Sequence, residues 1–119
     1  MGICWPAPRF ARPRTSILTW QRRVFDYVER NLRDPDLGAQ SIAQRFGITP
    51  RFVHMIFARA GREAGGFILE RRLALAAARL RADMAMPITT IAIDAGFAEL
   101  SHFCRAFRRR FGVSARIYR

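Results

Sequence analysis

The stretch Ile91–Arg119, IAIDAGFAELSHFCRAFRRRFGVSARIYR, decides how this chain folds. It opens inside a two-turn helix, Ile88 to Ala95, closed by Gly96, where a helix-stopping residue is needed. Leu100 to Phe111 then repeats apolar residues at helical spacing and stops at Gly112. A short helix, a glycine turn and a longer helix make a helix-turn-helix unit. Ile91, Ala92, Ala95, Gly96, Phe97, Phe103, Ala106 and Phe107 supply its crossing point, turn and core. A final turn forms around Ser114 to Arg119.

The same pattern lies upstream. Gly38 to Gly47 is a short helix closed by glycine, and Thr49-Pro50 opens a longer one, with threonine as N-cap and proline at the first helical position. That helix runs to about Ala60. Ile42, Ala43, Phe46, Gly47, Ile48, Val53, Ile56 and Phe57 match the downstream scaffold. The offset is 49 residues for Ala43→Ala92 and Gly47→Gly96, and 50 for Val53→Phe103 and Phe57→Phe107, so the downstream turn is one residue longer.

Between the copies, Gly61, Gly65 and Gly66 bracket a loop. Phe67 to Arg81 is a strong helix rich in Ala, Leu and Arg, with Phe67, Ile68, Leu73, Ala76 and Leu80 suiting a central, linking position. Ahead of the first copy, Ser16 caps a helix whose apolar face is Ile17, Trp20, Val24, Phe25, Val28 and Leu32. Asp34-Pro35-Asp36 ends it, because proline removes a donor and disfavours helix before it. Residues 1–15 carry three prolines, three arginines and no acid, and read as a flexible tail or linker remnant. No segment alternates like a strand, so the fold class is all-α: two helix-turn-helix subdomains, about 39–60 and 88–111, joined by a linking helix over about 67–82.

Charge narrows the partner. The 119 residues hold 21 basic side chains against nine acidic ones, a net charge of +12. Every basic residue is arginine, whose planar fork suits phosphate and guanine. Such a surplus calls for a polyanion, most often nucleic acid. Two cysteines, Cys4 and Cys104, do not make a disulfide framework. Nothing has the length of a signal peptide core or a membrane span, which points to the cytoplasm.

Helical geometry selects the outward residues once the core side is fixed. On the first long helix these are Arg51, His54, Met55 and Ala58. On the second they are Ser101, Cys104, Arg105 and Arg108, with Leu100 at the tip. A helix presented this way enters the major groove and meets base edges with its N-terminal half. Base reading is therefore expected from Arg51, His54, Met55, Leu100, Ser101, Cys104 and Arg105. Arg59, Arg62, Arg108, Arg109 and Arg110 sit further along and are expected on phosphates, which position without specifying sequence.

From about Arg23 to Arg119 the sequence resembles the DNA-binding domain of the AraC/XylS family of transcriptional regulators. Ile91-Ala92, Gly96-Phe97, Ser101-x-Phe103-x-Arg105-x-Phe107, Phe111-Gly112-Val113-Ser114 and Tyr118-Arg119 carry the resemblance, with Arg72, Leu73 and Ala76 in the linking helix. It implies seven helices and one chain reading two adjacent major grooves on one face of DNA. There are departures. Met55 stands where the family usually has arginine, Ala115 where it has proline, and Cys104 where serine is common. The loop from Phe57 to Phe67 is about one residue short. Family members usually carry a separate sensing or dimerisation domain, so the chain is expected to be a stand-alone member or a fragment.

Other chemistries fit less well. His102 and Cys104 diverge by about 200° on a helix, and with His54 they lack a fourth ligand for a metal. No nucleophile–base arrangement or phosphate loop stands out, so no enzyme, no cofactor and no metal are expected. The expected partners are double-stranded promoter DNA and, secondarily, RNA polymerase, for a monomer acting away from membranes. The rival reading is a protein-interaction or sequestering fragment that binds DNA only weakly, motivated by Met55 and Ala58 on the first outer face.

Overall fold

The computed structural model describes residues 16–119, so the expected tail and Cys4 lie outside the described residues. Seven helices follow in order among them: α1 Ile17–Arg30, α2 Ala39–Phe46, α3 Pro50–Ala58, α4 Ala64–Ala82, α5 Ile88–Asp94, α6 Leu100–Phe111 and α7 Ala115–Tyr118. They divide into two compact units. One comprises residues 16–30 and Asp36–Ile68, the other Asn31–Pro35 and Leu69–Arg119. The fold is all-helical, with one helix-turn-helix in each unit.

In the first unit the caps form where sequence placed them. The Ser16 hydroxyl accepts from the Thr19 N–H at 3.2 Å, and the Thr49 hydroxyl from the Phe52 N–H at 3.0 Å. Val24, Val28, Ile42, Val53, Ile56 and Phe57 have no exposed surface and form the centre of this unit. Trp20 packs edge-on against Phe52 at 5.4 Å, and Phe25 stacks on Phe67 at 4.9 Å. These ring contacts add to the burial of the aliphatic centre, which offsets the entropy of ordering so short a chain.

The second unit is built around Leu80, Ile91, Phe103 and Phe107, all inaccessible, with Leu73, Ala76, Ala92, Ala95 and Phe97 against them. Tyr118 reaches back from α7 to Phe107 at 5.2 Å and Phe111 at 5.1 Å. The terminal Arg119 closes the α4–α5 connection, its Nη2 donating to the carbonyls of Asp83 (2.9 Å) and Met86 (2.5 Å).

Two expected boundaries move. α1 stops at Arg30 rather than at the Asp-Pro-Asp segment, and Leu32 leaves its apolar face to join the second unit. Arg72 holds the segment beyond the helix end: its Nε donates to the Leu32 carbonyl at 3.0 Å and its Nη2 to the Asp34 carbonyl at 2.6 Å. Asp34 meanwhile turns back on Asn31, N–H to carbonyl at 3.0 Å. Burial lowers the Arg72 pKa from its ordinary value, and the Asp34 charge partly opposes that shift. The second change is at α4, which starts at Ala64, so Gly65 and Gly66 lie in its first turn instead of in a loop. Each glycine costs roughly 1 kcal/mol in a helix; burial of Ala64 and Ile68 offsets this.

Candidate nucleic-acid interface

The two helix-turn-helix units share one backbone recipe. Gly47 and Gly96 both have positive φ, 68° and 97°. Just beyond them, the Ile48 N–H donates to the Ala43 carbonyl at 3.0 Å and the Phe97 N–H to the Ala92 carbonyl at 3.1 Å. This is the six-residue closure of a glycine-stopped helix. Ala43 and Ala92 are 3% and 1% exposed, so a larger side chain at either would force the crossing helices apart. The longer helices start at Pro50 and Leu100, which preserves the 50-residue offset.

Val53, Ile56 and Phe57 anchor α3, and Phe103 and Phe107 anchor α6, all fully buried. The opposite arcs follow from the helical period. On α6, Ser101, Cys104, Arg105 and Arg108 share an arc of about 100° and are all exposed. On α3, Arg51, His54 and Ala58 are exposed while Met55 is half-buried. Arg59 and Arg109 occupy equivalent places beside these arcs, and both are exposed. Leu100 is 42% exposed, as the first residue of α6 rather than as part of the arc.

Electrostatics separate the two faces. The outer arc of α6 carries Arg105 and Arg108, flanked by Arg109, and among the described residues none of the three has an ion-pair or side-chain hydrogen-bond partner. The corresponding arc of α3 carries one arginine, Arg51. α6 spans about 18 Å at 1.5 Å per residue, enough for several side chains to face consecutive base pairs. Arg62 lies over the Phe67 ring at 5.1 Å, beyond the end of α3.

Arg110 is placed differently. It follows Ser101 by about two and a half turns, roughly 180° around α6, and lines a cleft with Arg71, Arg81 and Tyr118. The run Arg108-Arg109-Arg110 is therefore split by the helix that carries it. Sequence reasoning also left Arg72 without a structural role. Its partners lie 40 and 38 residues away, so no local pattern announces the contact.

The sequence pattern of the helix-turn-helix domain family matches residues 42–119, about two thirds of the chain. The chain belongs to the AraC/XylS family. Similar AraC-type proteins include the transcriptional activator RhrA of Rhizobium meliloti (strain 1021), 39% identical over 87 residues that cover 72% of this chain and 28% of RhrA. The regulatory protein SoxS of Escherichia coli (strain K12) is 33% identical over 94 residues, 78% of this chain and 86% of SoxS. Among solved structures, the C-terminal domain of AraT, a response regulator from Geobacillus stearothermophilus, superposes with a TM-score of 0.80 at 29% identity, covering 89% of this chain and 86% of that one. An AraC-type transcriptional regulator from Chromobacterium violaceum gives 0.74 at 25% identity, covering 83% and 88%. The chain spans less than a third of the length of RhrA.

Membership gives the repeated architecture its context: AraC-type chains are transcription regulators, a class that in general does no catalysis. Among the described residues, no helix is long and apolar enough to cross a membrane, and no three His, Cys, Asp or Glu side chains group as metal ligands. His102 instead packs edge-on against Phe97 at 5.5 Å.

Proposed function

We propose that this AraC-type chain is a sequence-specific double-stranded DNA-binding regulator of transcription that places α3 and α6 in successive major grooves. The observation that carries the reading is the outer arc of α6, where polar and basic side chains stand exposed on a spine of fully buried phenylalanines. A helix fixed by its core face holds its outer residues in register with base edges, at little entropic cost on binding. Arg105, in the first half of α6, is the base-reading arginine, with a fork suited to the O6 and N7 acceptors of guanine. Ser101 and Cys104 flank it. Arg108 and Arg109 take phosphates, as do Arg59 and Arg62 beyond α3.

The first unit is the less stringent reader. Arg51 and His54 are its base contacts, and the half-buried Met55 offers a thioether where Arg105 offers a guanidinium. The two halves of the site therefore differ, and the preferred duplex is asymmetric, with half-sites about one helical turn, roughly 34 Å, apart. The chain acts as a monomer in the cytoplasm, without catalysis or cofactor, and RNA polymerase is its second partner.

Selection of the purified chain against a random duplex library tests this reading. An enriched asymmetric motif with its sharper half assigned to α6 supports it. Recovery of no motif, with binding that depends on salt alone, would replace it with the interaction-module reading.

A further inference from the structure

The unexplained arginine of α6 leads to a second site. Glu70, Ala74, Ala77 and Arg81 form one stripe along α4 at spacings of four, three and four, and thus share a face. The two alanines leave a depression in the middle of that stripe. The end of α6 and α7 close it on the far side, and the result is an open cleft of about 440 Å³ within the second unit. This is within the usual range for small-ligand sites.

Its chemistry has two parts. The wall is aromatic: Phe111 and Tyr118 are half-buried and lie 5.1 Å apart, both leaning on the fully buried Phe107. The rim is cationic: Arg71, Arg81 and Arg110 converge on it against the single carboxylate of Glu70. Arg81 is held in place, because its Nη1 donates to the Tyr118 hydroxyl while the guanidinium lies over the Tyr118 ring at 5.9 Å. Arg110 sits over the Phe111 ring at 5.3 Å. Each arginine that flanks the wall is thus oriented by the aromatic ring beside it, which lowers the entropy lost when its fork pairs with an anion.

We propose that this cleft binds a small aromatic carboxylate, its ring against Phe111 and Tyr118 over Ala74 and Ala77, its carboxylate between Arg81 and Arg110. A neutral aromatic would offer Arg81 and Arg110 no counter-charge, and a bare inorganic anion would leave the wall wet. The cleft lies on the side of α6 opposite Ser101, Cys104 and Arg105, so the ligand and a duplex occupy different faces of one helix.

The test is a titration of the intact chain with 1-naphthoate, followed by amide chemical shifts, with 1-naphthalenemethanol as the neutral counterpart and inorganic phosphate as the bare anion. Saturable shifts at Ala74, Ala77, Phe111 and Tyr118 at concentrations up to about 1 mM are expected, with neither control reproducing them. Arg110→Gln and Arg81→Gln should each weaken binding about tenfold, the effect of removing one charge-assisted pair. Tyr118→Phe keeps the ring but frees Arg81, and should weaken binding less. The amide spectra of the variants report directly whether they are folded. Three results would overturn the proposal: no saturable shift, shifts confined to Ser101–Arg109, or equal response to phosphate alone. It would also fall if 1-naphthoate does not bind and both arginine variants instead lose duplex affinity, because the cleft would then be a DNA phosphate contact.

Discussion

Gly47 and Gly96 occupy the same place in the two repeats, yet replacing them with alanine should have very different consequences. At Gly47 the φ of +68° is the only obstacle, since a Cβ there would meet no atom within 4 Å. That left-handed conformation costs an alanine roughly 1–2 kcal/mol. Gly96 carries the same kind of strain at φ +97°, but its Cβ would also lie 2.0 Å from the Leu32 carbonyl oxygen and 2.7 Å from the Arg72 Nε. Neither can stay. The Leu32 oxygen is backbone, and the Arg72 Nε is the donor that bonds to it at 3.0 Å. Losing a hydrogen bond from a charged donor adds about 1.5–3 kcal/mol, bringing Gly96→Ala to about 3–5 kcal/mol. The gap between the two variants is therefore about 1.5–3 kcal/mol. Urea unfolding followed by circular dichroism at 222 nm measures it, with midpoints converted by a common slope. Equal midpoints for the two variants would refute the reasoning, as would full additivity of Gly96→Ala with Arg72→Ala, because residues that share a contact should couple.

Two further substitutions probe the caps. Thr49→Ala removes the side chain that accepts the Phe52 N–H, and should cost about 1 kcal/mol in the same urea experiment; Thr49→Ser should recover most of it. Ala115→Pro should be neutral or stabilise by up to about 1 kcal/mol in a thermal melt. Position 115 is the first residue of α7, where proline is favoured, and the preceding Ser114 already has φ −70° and ψ 160°, as a residue before proline prefers. A loss of more than about 1 kcal/mol would mean that the packing around the buried Ala115 does not admit the ring.

Much of this molecule can be read without coordinates, and the reason is local. Ser16, Thr49, Pro50, Gly47 and Gly96 act within a few residues of themselves, so their capping and stopping roles are written in short words of sequence. The one-residue lengthening of the second turn likewise follows from counting between Ala92 and Phe103. What escaped was set by distant partners or hidden by a competing pattern. Leu32 continues the apolar period of α1, yet it lies beyond the helix end, where the Arg72 side chain, 40 residues on, holds its carbonyl. Gly65 and Gly66 suggest a break, and the burial of Ala64 and Ile68 on either side overrules them. Arg110 is instructive in another way. The consecutive arginines of Arg108-Arg109-Arg110 invite a single role, whereas the 3.6-residue period alone sends Arg110 to the other side of α6. The outward positions of α3 and α6 were legible for the same reason, because the core phenylalanines fix the phase; the half-burial of Met55 was not.

The central claim is that α6 reads bases through Arg105 and holds the backbone through Arg109. The most direct measurement compares Arg105→Ala and Arg109→Ala on the selected duplex and on a scrambled one, across a salt series. Arg105→Ala should lose about 1–3 kcal/mol on the selected duplex and little on the scrambled one, with relaxed preference at one base pair. Arg109→Ala should weaken both duplexes alike and reduce the salt slope by about one. If Arg105→Ala weakens both duplexes equally, α6 is an electrostatic anchor and not a reader, and the account is wrong.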